Sequence, residues 1–354
     1  MPWQLYPTTA FAQFVPDWDR LVDDCGGAPF LSSPFVLPLL THFGSGRERL
    51  AVCRDREGVA AMTILVRRSA GVWDTFQPSQ LPLGPWLVRR GQDPVAIARA
   101  LLRRLPGFAL QLGLTQLDPA MYDRPADGHD VATLDYVETA AVAVDGTFDD
   151  YWAGRGKNLR ANMRKQRNRL VADGIPTRLD VLTRSEDIAG AIESYGQLES
   201  SGWKAATGTA IERDNSQGRF YRAMLENFCS LGKGRVYRLA FGDRVVAMDL
   251  CVEGGGMEVV LKTTYDETIS NLSPAFLLRE EEIRQHFGEK RIRRVEFFGK
   301  VMDWHMQWTR EARMLYHVNV NRFPWLARLR ARWRSRAARL GTPEQIPGGV
   351  KRSC

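Results

Sequence analysis

The chain has 354 residues, of which 44% are hydrophobic and 25% charged, and a formal net charge of +8. That length predicts two domains rather than one core, and the composition, without low-complexity tracts, is that of a soluble globular protein. There is no apolar run long enough to cross a bilayer and no secretion signal in MPWQLYPTTAFAQF, and the five scattered cysteines form no CxxC, which fits reduced thiols in a cytoplasmic protein and gives no zinc site.

The positive charge is local. Residues 155–169 (RGKNLRANMRKQRNR) hold seven basic residues and no acid, and residues 321–340 hold seven arginines and no acid. Outside these two segments acids outnumber bases. Such segments are either solvated helix faces or contacts for an anionic partner.

In chain order, residues 50–66 (LAVCRDREGVAAMTILV) read as a β-hairpin around Asp55–Gly58, and VWDTFQ (72–77) as a further strand. A helix is expected over 93–105 and a strand over 109–117. FDDYWAGRGKNLRANMRKQRNRLVADG (148–174) opens with acids and closes with Gly174, as one capped helix does. Helices are expected over 183–203 and 216–232. A second hairpin follows at 239–252 (LAFGDRVVAMDLCV), then a strand at 257–265, a helix at 273–287 and a strand at 293–301. PWLARLRARWRSRAARL (324–340) predicts a last, basic helix with Trp325, Leu326, Leu329, Trp333 and Leu340 on one side.

The order hairpin, strand, helix, strand therefore occurs twice, once in each half, with Val-Ala-Ala-Met in one copy and Val-Ala-Met in the other. An internal repeat of this kind predicts two similar α/β domains. The expected division is 1–145, 146–320 and a basic tail, 321–354.

The candidate chemistry lies in LKTTYDETISNLSPAFLL (261–278). Ser273 suits a helix cap and Pro274 the first helical turn. The N–H groups of Ala275, Phe276 and Leu277 are then expected to face outward as an anion site suited to phosphate or pyrophosphate. Lys262, Tyr265 and Asp266 sit at the end of the preceding strand as candidate acid–base residues; the alternative is a strand-end salt bridge with a turn-forming Asp266-Glu267 pair, the reading preferred for Glu267.

Several stretches carry a resemblance. They are YWAGRGKNLRANMRKQRNRL (151–170), LESSGWK (198–204), RFYRAML (219–225), VVAMDLCV (245–252), KTTYDETISNLSPAFLL (262–278) and VEFFGKVMDWHMQWT (295–309). Together they resemble the GNAT-type acyltransferases of the CelD-like (cellulose-biosynthesis CelD) family, related to the FemABX aminoacyl transferases. The resemblance implies tandem GNAT-like domains with mixed sheets flanked by helices, a FemABX-like architecture, with the N-terminal copy degenerate. It implies acyl transfer from a thioester such as acyl-CoA (acetyl-CoA), with no metal, to an amine or hydroxyl of a small-molecule or sugar acceptor.

On that resemblance the donor's pyrophosphate falls on Ser273, Pro274, Ala275, Phe276 and Leu277. Asp266 is then the expected base, Tyr265 the acid, Lys262 a further polar group at the cleft, and Trp203, Lys204 and Arg160 contacts for the acceptor. The chain lacks the glycine-rich loop usual in GNAT folds, which leaves CoA and aminoacyl-tRNA both open as donors. Where the family tends to have a lysine, between a tyrosine and a tryptophan, this chain has His305, either a base or a packed ring. An inactive binding protein of the same fold is the remaining reading. The tail is expected to reach an anionic membrane surface from the cytoplasmic side, or to pack on the C-terminal domain.

Overall fold

The computed structural model describes residues 2–200, 211–212 and 214–325. Trp203, Lys204 and all but the first two residues of the expected helix 324–340 lie outside the described residues. Strand β1 (Trp3–Pro7) leads to helices α1 (Val15–Asp24) and α2 (Ser33–Phe43). Then come the hairpin β2 (Arg49–Asp55) and β3 (Gly58–Ser69), β4 (Val72–Thr75), β5 (Trp86–Val88), α3 (Pro94–Leu102) and β6 (Gln111–Leu117). After β7 (Val131–Ala143) follow α4 (Phe148–Ala153), α5 (Lys157–Ala172), β8 (Thr177–Leu182), α6 (Ser185–Ser200) and α7 (Ser216–Ser230). The second hairpin, β9 (Gly234–Phe241) and β10 (Arg244–Gly254), precedes β11 (Met257–Tyr265) and α8 (Pro274–Glu289). The described chain closes with β12 (Arg294–Glu296), α9 (His305–Trp308) and β13 (Glu311–Asn321).

Both copies of the repeat are present. In each, the strand after the helix pairs in parallel with the strand before it: β6 with β4, and β12 with β11. The strands of the described residues form one mixed sheet in the order β1-β2-β3-β4-β6-β13-β7-β12-β11-β10-β9-β8, with β5 on β3. The last strand, β13, lies between β6 and β7 and joins the two halves by hydrogen bonds to both.

Helices cover both faces. On one face α1 and α2 of the first half and α6 and α7 of the second share a single apolar cluster, with Phe220 edge-on to Phe35 and Phe43 at 5.3 and 5.4 Å. The halves also meet backbone to backbone. A Cβ on Gly255 (φ +58) would stand 2.2 Å from the Gly26 carbonyl oxygen, so only glycine fits. On the other face of the second half, α5 and α8 pack on β9, β10 and β11 through Leu159, Met163, Leu239, Leu277 and Ile283.

Two expected elements differ. The single helix over 148–174 is two, broken at Gly154–Gly156, where two glycines weaken helix propagation. The strand expected over 293–301 keeps only Arg294–Glu296 of that pairing. Beyond it, Phe297 and Val301 donate their N–H groups to Ala140 and Glu138 of β7, and Phe298 takes φ 43.

Candidate active site

The loss of β11 as a partner, while β7 is kept on the other side, opens a fork. β11 and β12 pair only from Met257–Val259 to Arg294–Glu296. The chain after β12 then follows β7, whereas β11 stays with β10 as far as Tyr265. Near the parting β11 carries a bulge. Val260 faces Cys251 and Lys262 faces Leu250, so Leu261 is the extra residue. A bulge of this kind breaks the ladder and re-aims the local backbone.

The first turn of α8 stands beyond the end of β11. Ser273 caps it in the left-handed region (φ 54, ψ 49), without a side-chain cap bond. Its hydroxyl accepts instead from Asn162 Nδ2 of the basic helix α5 at 3.2 Å. The expected row of three outward N–H groups is reduced to one. Phe276 and Leu277 donate to the Ser273 carbonyl at 3.1 and 3.0 Å, the ordinary first bonds of a helix, so Ala275 is left to meet an anion. Around this turn, Phe276 packs on Trp308 at 5.7 Å, and Tyr151 donates its hydroxyl to the Trp308 carbonyl at 2.7 Å. Arg160, expected at the acceptor, donates to the Arg155 carbonyl at 3.2 Å, and Arg155 binds the same Trp308 carbonyl. It therefore buttresses the wall beside the α8 turn.

The three polar residues of the strand end are separated by the alternation of a β-strand. Lys262 stands on the α7 face, its Nζ 5.8 Å from the Tyr221 ring centroid. Thr263, on the opposite face, receives a bond from Arg279 of α8 at 3.3 Å, and Tyr265 shares that face with 37% exposure. Asp266 lies past the strand and is buried. Its Oδ1 accepts from the Thr268 N–H and hydroxyl at 3.0 and 2.6 Å, and its Oδ2 pairs with Arg244. The carboxylate expected to act as a base is thus a turn cap and an ion-pair partner, with both oxygens engaged.

His305 is a packed ring. Its Nδ1 accepts the Met302 N–H at 2.9 Å, and the ring lies on Trp304 and against Phe297. Burial, with the nearby Arg279 charge, pulls its pKa down to about 4, so the ring is neutral at pH 7.

Sequence reasoning missed the charged floor of the fork. Arg279 of α8 is buried beneath the Phe297 ring, 5.2 Å from its centroid. It pairs with Asp249 of β10 and donates to Glu282 at 2.6 Å. Next to these, His286 Nε2 and Glu258 are 2.8 Å apart, and the Tyr237 hydroxyl donates to Glu258 at 2.9 Å. Burial raises the Glu282 pKa well above the usual carboxylate range; Arg279 opposes this, and Asp249 and Glu258 add to it. One signal was in the sequence: an aspartate inside VVAMDLCV needs a buried partner. Among the described residues no group of His, Cys, Asp and Glu is arranged to hold a metal ion. A cleft of about 170 Å³ lies between α5, β8, β9 and α8, lined in part by Arg167, Arg178, Glu281 and Leu277 of the α8 turn.

Residues 157–306 match the family model described as an acetyltransferase (GNAT) domain. The matched stretch holds the fork, the α8 turn and the buried floor. Among curated proteins, none matches the chain. The matched segment sits inside a larger architecture that is also found elsewhere. The chain is similar to the C-terminal domain (DUF2156) of a protein assigned as a lysylphosphatidylglycerol synthetase from Agrobacterium fabrum. The TM-score is 0.57 at 13% identity, over 97% of this chain and 99% of that one. FemX gives a TM-score of 0.57 at 8% identity, over 93% and 99%. L-PGS from Bacillus licheniformis gives 0.51 at 14%, over 90% and 96%. These likenesses are of fold, and the expected FemABX-like α/β architecture is the observed one.

Proposed function

We propose that the chain is an acyltransferase of the CelD-like type, moving an acyl group from acyl-CoA, most simply acetyl-CoA, to an amine or hydroxyl of a small-molecule or sugar acceptor. The observation that carries this reading is the fork between β11 and β12, opening beside the α8 turn within the segment that matches a GNAT domain. The donor's phosphates lie at Ser273–Leu277, held by the Ala275 N–H and the positive end of α8. The thioester enters the fork, where backbone N–H groups of β11 beside the Leu261 bulge polarise its carbonyl.

The acceptor's nitrogen or oxygen attacks the carbonyl carbon; its bond to carbon forms and the C–S bond breaks. The acceptor's proton leaves to water in the fork, and the thiolate takes one from the half-exposed Tyr265. Lys262, on the α7 face, borders the acceptor. Asp266 holds the turn between β11 and α8. A place in polysaccharide or cell-envelope metabolism, in the cytoplasm, follows from the family resemblance.

The test is donor binding. Acetyl-CoA is expected to raise the melting temperature of the wild type and to leave Ala275→Glu unmoved, because a carboxylate at that point repels the phosphates. An equal shift in both proteins would remove the donor from α8.

A second reading, transfer from aminoacyl-tRNA as in FemABX enzymes, is favoured by the same helix end, which offers few N–H groups to a pyrophosphate. It is favoured also by the exposed Lys157, Arg164, Lys165 and Arg169 along α5. Native mass spectrometry of the freshly purified protein separates the two by the mass retained, a CoA thioester or RNA.

A further inference from the structure

The turn after α3 and the end of β13 meet at an exposed aromatic tip. Phe108 is 65% exposed and Trp325 54% exposed. Phe108 takes φ 49, a conformation a residue with a Cβ adopts only when its surroundings enforce it. The enforcing group is Arg322, which donates to the Leu102 carbonyl at 2.7 Å and the Ala109 carbonyl at 2.5 Å, clamping both ends of the turn. Its guanidinium also lies 4.9 Å from the centre of the Phe108 ring. Phe323 bridges the two exposed rings, its centroid 6.1 Å from that of Phe108 and 6.2 Å from that of Trp325.

The charge around this tip is mainly positive; Asp130, bonded to Asn321, is paired with Arg99 of α3. Arg103 and Arg104 are exposed in the same turn, and Arg67 reaches Gly107 from β3. Residues 103–108 contain no acid. Exposed aromatic side chains ringed by arginines match the headgroup level of an anionic bilayer. There the rings sit among glycerol and acyl carbons while guanidinium groups meet phosphates. A nucleic acid fits less well. Phe323 and Trp325 stack on each other at 12° and Phe108 lies under Arg322, so ring faces that bases would use are already covered.

We propose that Phe108 and Trp325, with Arg103, Arg104 and Arg322 around them, form a docking surface for an anionic lipid bilayer. The clamp by Arg322 presents Phe108 as a rigid wedge, so little order is lost on insertion. The surface joins the turn after α3 of the first half to the residues that follow β13, and gives that end of the sheet a role of its own: holding the protein at a membrane. The proposal stands apart from the acyl-transfer reading.

The test is co-sedimentation of the full chain with vesicles of phosphatidylcholine alone or mixed with an equal part of phosphatidylglycerol. Binding is expected to the mixed vesicles only, and to fade with salt, since screening limits the reach of the arginines to about 10 Å at 0.1 M. The double variant Phe108→Asn, Trp325→Ser is expected to lose binding by at least about tenfold with an unchanged melting temperature, asparagine being tolerant of the left-handed region. Arg103→Gln with Arg104→Gln is expected to weaken binding and flatten its salt dependence. Wild type left in the supernatant, equal binding to neutral vesicles, or undiminished sedimentation of the double variant would each overturn the proposal. So would a gel shift with tRNA that the same double variant abolishes, which would assign the tip to nucleic acid.

Discussion

Arg279 of α8 and Asp249 of β10 form an ion pair from which water is excluded, their side chains 3% and 1% exposed. Such a pair contributes little net stability over an apolar pair of equal volume, but losing one partner strands a charge in the core. Arg279→Met is therefore expected to cost about 3–5 kcal/mol in urea denaturation. Adding Asp249→Asn is expected to restore part of that loss, because the stranded carboxylate is gone. Additive losses in the double variant would mean that the pair is not coupled.

Glu282 sits in the same pocket with its pKa raised, chiefly by burial. A carboxyl that holds its proton more tightly when folded stabilises the fold fully below its ordinary pKa. That contribution is lost as pH rises from the ordinary value towards the raised one. Glu282→Gln is neutral throughout and keeps an oxygen for Arg279. Its melting temperature is expected to exceed that of the wild type at pH 8, with the gap closing towards pH 5. A constant gap across that range would show that Glu282 does not titrate with folding.

Asp266 separates a structural role from a catalytic one. Asp266→Ala removes the acceptor for Thr268 and the partner of Arg244, at an expected cost of about 1–2 kcal/mol for the cap. Asp266→Asn keeps an oxygen for the cap, and its turnover, once an acceptor is in hand, is expected to stay within a few-fold of wild type. A fall of about a hundredfold in kcat with an unchanged melting temperature would make the carboxylate the base after all.

His305, with its pKa down at about 4 in the fold, stays neutral while an unfolded histidine gains a proton near 6.5. Its contribution to stability is full above about pH 6.5 and falls as pH drops towards 4. His305→Asn keeps an acceptor near the Met302 N–H without titrating, and is expected to flatten that acid limb. If the melting curves of both proteins fall in parallel from pH 7 to 4.5, the histidine is not held neutral.

The repeat was legible because it is local. A hairpin needs a polar turn between β-branched strands and a helix needs caps, and both signals lie within a few residues of what they specify, as at Asp55–Gly58 and Gly242–Arg244. The Ser273–Pro274 helix start was legible for the same reason. Which side chains meet was decided at longer range. Glu311–Asn321 alternates as a strand does, yet nothing local says that it inserts between β6 and β7. Those neighbours are chosen by hydrogen bonds to segments almost two hundred residues away.

REEEIRQHF reads as a solvated helix face, and only the packing of α8 on β10 and β11 turns Arg279, Glu282 and His286 inward. Lys262, Tyr265 and Asp266 are neighbours in sequence, but the two-residue period of β11 sends the first two to opposite faces, and the turn takes the third. The sequence by itself determined the elements of the two repeats, their twofold recurrence and the likeness to an acyltransferase. The tertiary structure decided where the sheet forks and which charges lie beneath the fork, because those depend on strand partners and burial that no short stretch encodes.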